Sequence, residues 1–183
     1  ILSHRIQDIP SPFTFITQHE VPVALTLNDL TINLDQVDCK VLLDDWTWAM
    51  PESMQAVLVT AMGDVFAQGE SGAIYFADMV EGKISPVAED SSEFETLLQD
   101  PDFVTDLFFP ARVLELRDAG VTLEPGQVYG HQTPLVLSGE DELDNIEPID
   151  VAVHVSVHGQ IHDQVKDLPP GTVITDIEFE EEA

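Results

Sequence analysis

Cysteine is the residue that this chain has least of. Cys39 is the only cysteine among 183 residues, so no disulfide can form within the chain. Small secreted scaffolds depend on disulfides, and a single thiol therefore favours a cytoplasmic protein. No apolar run approaches the roughly 20 residues that a membrane-spanning helix needs, so we expect no membrane segment.

Basic residues are also few. Six Lys and Arg stand against 35 Asp and Glu, which gives a formal net charge of −29. A field of one sign repels phosphate and anionic lipid and attracts basic protein surfaces. The charge argues against direct nucleic-acid binding and against anionic membranes. It leaves two interpretations open: a functional acidic face, or a general surface acidity that serves solubility in a salty habitat.

The remaining composition is that of a folded protein. Hydrophobic residues make up 44% of the chain, which disordered acidic chains lack. The length suits one core, and we find neither an internal repeat nor a linker between domains. We predict a single α+β domain over residues 29–179, mainly antiparallel sheet with three or four short helices. Residues 1–28 are interpreted as an irregular arm or edge strand, and residues 180–183 as a solvated acidic tail.

Hydrophobic spacing predicts the elements of the first half. Apolar residues alternate over 21–27, which indicates a strand, and 31–34 could return as a second one. Apolar residues at i, i+3, i+4 and i+7 predict a helix over 51–62 that ends at Gly63. Glycines then separate three short strand-like runs, which predicts a meander over 64–67, 73–77 and 83–87.

Caps and prolines mark the helices of the second half. Ser92 and Glu95 have the spacing of a capping box, so a helix should start there. Pro101 suits the first turn of another helix, and Pro110 should interrupt it before a segment that ends at Gly120.

Residues 149–157 give the clearest strand pattern of the chain, with valines alternating with other residues. We expect a short helix over 160–167 to follow, and then a final strand over 173–179.

Histidines recur every four residues near the end of the chain, and they are the sharpest chemical feature of the sequence. A metal-binding module or metal-dependent enzyme would use His154, His158 and His162. On a strand, however, the first two would lie roughly 13 Å apart, too far to share an ion. The zinc-peptidase pattern H-E-x-x-H is also absent, because Gly159 takes the place of its glutamate. Metal binding is therefore the alternative interpretation, and we expect no cofactor.

Nucleophilic and phosphate-binding motifs are equally weak. Cys39 has no cysteine partner, no serine lies in a G-x-S-x-G elbow, and the glycine-rich stretches match neither G-x-G-x-x-G nor the Walker lysine pattern. We therefore predict that the chain is not an enzyme.

The densest acidic segment is residues 139–147, which we call the acidic loop. It lacks the spacing of a calcium-binding EF-hand loop, so a solvated or partner-facing loop is the better interpretation. Its charge density makes it the predicted partner-binding site, formed by the carboxylates of Glu140, Asp141, Glu142, Asp144 and Glu147.

Four stretches carry a resemblance to a known family. They are 45–48 (DWTW) followed by Pro51; 63–66 (GDVF) with 72–75 (GAIY); 126–130 (GQVYG) with 134–139 (PLVLSG); and 159–172 (GQIHDQVKDLPPGT). Together they span most of residues 30–175. On these stretches the chain resembles a bacterial family named after the C-terminal domain of a type VI secretion DNase immunity protein.

The resemblance implies a binding function. An immunity protein blocks its cognate toxin, and a carboxylate-rich face suits the cationic groove of a nuclease. The expected partner is thus a basic protein such as a nuclease toxin. The family supplies no catalytic residues, and its recurrent positions imply architectural roles: Gly126, Tyr129, Pro134, Gly139, Gly159 and Gly171. Some immunity proteins of the family carry a separate N-terminal domain, and we recognise no counterpart of it in residues 1–28.

Overall fold

The computed structural model describes residues 13–16, 22–169, 171–174 and 176–179. The predicted acidic tail at 180–183 and much of the predicted N-terminal arm lie outside these residues. The strands are β1 Phe13–Ile16, β2 Pro22–Leu25, β3 Met54–Val59, β4 Val65–Gly69, β5 Ile74–Asp78, β6 Lys83–Ala88, β7 Gln127–His131 and β8 Ile146–Asp150. The α-helices are α1 Leu27–Leu30, α2 Ser91–Leu97, α3 Pro101–Phe108, α4 Pro110–Asp118 and α5 Val151–Val165. This arrangement confirms the single α+β domain with antiparallel sheets.

The central sheet is an antiparallel meander in the order β3-β4-β5-β6. Its last three strands confirm the meander predicted between the glycines. Two smaller antiparallel pairs, β1 with β2 and β7 with β8, accompany it. The strand predicted over 31–34 is reduced to one bridge between Thr31 and Thr60.

The helix predicted over 51–62 is wrong, because this segment forms strand β3. Met54 and Ala56 are buried on one face, as alternate positions of a strand should be, whereas Leu58 is buried on the opposite face. A register shift between Ala56 and Leu58 adds buried positions after the regular alternation. That shift produced the helix-like spacing, since a bulge breaks the two-residue period. Gly63 ends no helix; it turns the chain into β4 with a φ of 96°.

Helix α2 begins close to its predicted position but uses a different cap. The Asp90 carboxylate accepts hydrogen bonds from the backbone N–H groups of Ser92 and Glu93. The Glu93 carboxylate reaches back to the N–H of Glu89. The capping pair therefore lies about two residues before the predicted Ser92 and Glu95, because aspartate caps as effectively as serine.

The prolines act as predicted. Pro101 opens α3, Pro110 opens α4, and Phe109 turns the chain between them with a left-handed φ of 49°.

The two faces of the central sheet cover separate cores. Phe66 of β4 lies in a cluster of aromatic rings with Phe76, Phe94 and Phe108, formed with α2 and α3. Val65, next to it in the strand, packs on the other side in a core that includes Trp46 and residues of α5. The central sheet is thus sandwiched between helices, and α5 is held against its second face.

The strand predicted over 149–157 is also wrong. Strand β8 ends at Asp150, whose carboxylate accepts hydrogen bonds from the N–H groups of Ala152 and Val153 and so caps α5. On the helix, Val151 and Val155 are buried one turn apart, while Val153 is 55% exposed. The helix predicted over 160–167 is the second half of α5. The described residues of 173–179 contain no strand.

Within the described part of the chain, no helix combines the length and the hydropathy needed to cross a bilayer.

Candidate functional site

Helix α5 carries three histidines on one buried face, which we call the histidine column. The ring centroids of His154 and His158 lie 4.4 Å apart, and those of His158 and His162 lie 6.3 Å apart. Residues four apart on a helix share a face, so the separation of roughly 13 Å expected on a strand does not apply. The side chains are only 4 to 6% exposed.

Three glycines, two in turns and one in β7, make room for the histidine column. A Cβ atom on Gly63 would lie 2.3 Å from Nε2 of His154, and one on Gly130 would lie 2.7 Å from its Nδ1. A Cβ on Gly82 would lie 2.3 Å from Nδ1 of His162. The imidazole rings therefore pack directly on backbone, where any other residue would push them away.

The column is neutral near pH 7. Burial lowers the pKa of His154 well below its usual value, that of His158 to about 4, and that of His162 in the same direction. His158 donates from Nδ1 to the carbonyl of His154, and His162 donates from Nε2 to that of Met79. Neither ring nitrogen of His154 has a hydrogen-bond partner among the described atoms.

The column is not supported as a metal centre. No group of three His, Cys, Asp or Glu side chains within the described ranges is arranged to hold an ion. One nitrogen of His158 and one of His162 already donate to carbonyls. The geometry therefore does not support the alternative function that these histidines suggested.

A buried carboxyl lies beside the same core. Asp64 is 5% exposed, and burial is the main reason why its pKa rises to about 8. Its Oδ1 accepts a hydrogen bond from the N–H of Met79, whose carbonyl accepts from His162. Both side chains therefore form hydrogen bonds with the backbone of Met79, in the turn between β5 and β6.

Cys39 is a poor nucleophile in this setting. Its side chain is half-buried and its sulfur lies 3.6 Å from the carbonyl oxygen of Val37. Burial first, and then the charge of Asp38, raise the pKa of the thiol. A raised pKa lowers the thiolate fraction on which reactivity depends.

Two indoles attach a 3₁₀ turn to α5, a contact that sequence reasoning missed. Trp46 donates from Nε1 to the carbonyl of Val155 at 2.9 Å, and Trp48 donates to that of Gly159 at 3.2 Å. A Cβ on Gly159 would lie 2.8 Å from the backbone oxygen of Asp45. The DWTW motif and Gly159, far apart in sequence, are therefore two sides of one close contact. Their shared presence in the resemblance was the only signal for it.

The acidic loop lies between β7 and β8 and runs into β8, so Glu147 is a strand residue paired with Gly130. All five predicted carboxylates are exposed to solvent. Asn145 holds the backbone of the loop in place. Its amide donates to the carbonyls of Thr133 and Glu140, and its oxygen accepts from the N–H of Thr133. One side chain therefore holds the backbone of the loop by hydrogen bonds within the molecule.

One of the five carboxylates is already engaged. Asp141 forms an ion pair with Arg112 of α4 at 3.1 Å and lies 3.5 Å from Nε2 of His131. Arg112 also donates to the backbone carbonyl of Asp141. Asp141 thereby ties the loop to α4, and the described structure records no ion pair for Glu140, Glu142, Asp144 or Glu147.

Comparison with protein families places this loop and the histidine column in a matched segment. Residues 88–162 match the family model "T6SS immunity protein Tdi1, C-terminal". The match runs from the end of β6 to the last histidine of the column and confirms the family resemblance that the motifs indicated. The DWTW and hairpin stretches precede the matched segment.

A solved structure shares the fold. The chain is similar to the crystal structure of Atu4351 from Agrobacterium tumefaciens, with a TM-score of 0.50 and 15% sequence identity over 66% of this chain. The alignment covers 61% of the Atu4351 chain, which is less than two thirds of its length. Identity this low shows a common fold alone. No curated protein matches the chain.

The recurrent positions of the family have visible structural roles. Gly126 adopts a left-handed φ of 83° before β7. Tyr129 is buried and donates its hydroxyl to the carbonyl of Val121. A Cβ on Gly139 would lie 1.9 Å from the oxygen of Thr133, so this residue lets the acidic loop close on itself.

Proposed function

We propose that this chain is a non-enzymatic immunity protein that binds a basic toxin, such as a secreted nuclease, through the acidic loop. The match of residues 88–162 to the Tdi1 immunity family supports the immunity role. The choice of surface rests on the loop held by Asn145, whose carboxylates at 140, 142, 144 and 147 are exposed and form no ion pair among the described residues.

Charge and rigidity both favour this surface. A cationic nuclease groove would be attracted to the chain by its net charge of −29, which raises the rate of encounter. The loop then offers carboxylates from a backbone that Asn145 and Arg112 already hold. Leu143, 37% exposed, lies among the carboxylates and adds apolar area to the contact. Asp141 serves as a positioning residue, because its carboxylate is paired within the molecule.

The test must distinguish the effect of the loop on binding from the effect of the overall charge. Toxin encoded beside this gene would be titrated by calorimetry with a Glu142→Lys/Asp144→Lys double variant. The matched control is Glu70→Lys/Glu89→Lys, which changes net charge equally on exposed loops of the central sheet. We expect the loop variant to weaken binding at least about tenfold and the control to weaken it no more than about threefold.

Salt dependence provides a second readout. Attraction between exposed charges is screened beyond about 10 Å at 0.1 M salt, so the association rate should fall as salt is raised. Equal weakening by both double variants would assign the attraction to net charge and overturn the loop as the site. Absence of binding to the toxin under low salt would overturn the immunity function itself.

A further inference from the structure

An extended stretch of the chain forms one wall of a groove beside the second half of α5. Gln164 donates from its amide to the backbone carbonyl of Glu178 at 2.7 Å, and its oxygen accepts from the N–H of Glu178 at 3.0 Å. One side chain thus satisfies both backbone groups of one residue, as a neighbouring strand would. This contact recognises only the backbone and does not depend on the side chain at residue 178.

The groove is large enough for a peptide and has a definite chemistry. Its volume is about 450 Å³ with this stretch in place. Its walls include Trp48, Asp44, Asp45, Asp163 and Gln164, and Glu178 and Phe179 of the stretch itself. The volume lies within the range of roughly 300–1,000 Å³ that is typical of ligand clefts. Aromatic surface next to carboxylates and a backbone-reading amide suits an extended segment with basic side chains.

The groove also binds an ammonium group within the molecule. Nζ of Lys166 lies 4.8 Å from the ring centroid of Trp48 and forms an ion pair with Asp163. A cation over an indole face is attracted by the ring electrons. Asp44 and Asp45 have no ion pair among the described residues, so further carboxylate charge faces the groove without a basic partner.

The segment that forms this wall adds acidic charge to the groove. Residues 176–179 include Asp176 and Glu178, and they contribute no base. They are held close by their covalent link to α5, which supplies a high effective concentration. Phe179, next to the clamped residue, remains 52% exposed.

We propose that this groove is a docking site for an extended, lysine- or arginine-containing segment of a partner protein, which displaces residues 176–179. Gln164 would pair with the backbone of that segment, and the carboxylates of Asp44 and Asp45 would receive its basic side chains, since Lys166 already pairs with Asp163 and Trp48. The site shares no residue with the acidic loop, and its test does not need the toxin.

The probe is a fluorescein-labelled heptapeptide in which Lys alternates with Val, followed by fluorescence anisotropy. A matched peptide with Glu in place of Lys is the charge control. The proteins are the full chain and a variant that ends at residue 173. We expect the shortened chain to bind the basic peptide at least about fivefold more tightly, because no internal segment competes. The acidic peptide should bind to neither protein.

Gln164→Ala decides whether the groove or the net charge binds the peptide. In the shortened chain, loss of two backbone hydrogen bonds should weaken binding about tenfold. In the full chain the same substitution should have a smaller effect, because it loosens the internal segment and the peptide together. If the shortened chain fails to fold, Glu178→Pro in the full chain removes the N–H that Gln164 accepts and should release the segment.

Two outcomes would overturn the proposal. Affinity that is unchanged by releasing residues 176–179 would show that they do not compete for the site. Affinity of the shortened chain that is unchanged by Gln164→Ala would show that only the negative field attracts the peptide. Either result leaves the toxin-binding function untouched.

Discussion

Replacing His158 with leucine should make the folded protein less sensitive to mild acid. Burial lowers the pKa of His158 to about 4 in the folded chain, whereas histidine in an unfolded chain titrates near 6.5. Between these pH values the unfolded chain binds more protons, so the free energy of unfolding falls as pH falls. The contribution is intact above pH 6.5 and is lost progressively toward pH 4.

The size of the effect follows from the two pKa values. Over the interval from pH 7 to pH 5, proton binding at His158 alone should lower the free energy of unfolding by about 2 kcal/mol. His154 and His162 also have lowered pKa values and act in the same direction. Asp64, with its raised pKa, acts in the opposite direction. The informative quantity is therefore the difference between variant and wild type.

Urea unfolding at pH 7, 6 and 5, followed by the fluorescence of Trp46 and Trp48, measures that difference. The loss of stability from pH 7 to pH 5 should be about 2 kcal/mol smaller in His158→Leu than in wild type. Val155→Ala is the control: it opens a cavity in the same helix face and should lower stability without changing the pH dependence. Identical pH dependence in His158→Leu and wild type would refute a buried neutral histidine.

Two further predictions concern buried positions beside the column. Gly159→Ala should lower the free energy of unfolding by about 1–2 kcal/mol, because crowding against the backbone of Asp45 and the ring of Trp46 outweighs the helix propensity of alanine; a more stable variant in urea titration would contradict this packing. In wild type the free energy of unfolding should fall by about 2 kcal/mol from pH 6 to pH 8, because Asp64 is ionised in the unfolded chain but, with a pKa of about 8, still holds its proton in the folded chain. Asp64→Asn should abolish this fall. The asparagine oxygen can still accept from the N–H of Met79, and a pH dependence shared by both proteins would show that Asp64 is ionised when folded.

Local sequence signals predicted the structure correctly where the backbone conformation of a single proline or glycine decides it. Pro101 opened a helix and Pro110 interrupted it, as predicted, since a fixed φ and a missing N–H suit the first turn and break a helix interior. The glycines between β4, β5 and β6 marked turns with left-handed φ values. These are properties of single residues and of their nearest neighbours, and they do not depend on what lies across the core.

Hydrophobic periodicity predicted the wrong element for residues 51–62 and 149–157, where the spacing fits both a helix and a strand. The bulge in β3 made alternate burial look helical, and the valines of α5 alternate as a strand would. In each segment the arrangement of the surrounding layers decided the outcome, because α5 has to bury one side against the sheet and Trp46. Propensity is a weak prior when tertiary packing can override it.

The candidate sites divide in the same way. The sequence alone determined the acidic character of the chain and of the loop at 139–147, because charge is a property of composition. Only the tertiary structure decided that Asp141 is paired with Arg112, that the histidines form a buried neutral column, and that Gln164 holds the backbone of Glu178. These contacts join residues from different parts of the chain, and their energies depend on distance and burial, which arise only when the chain has folded.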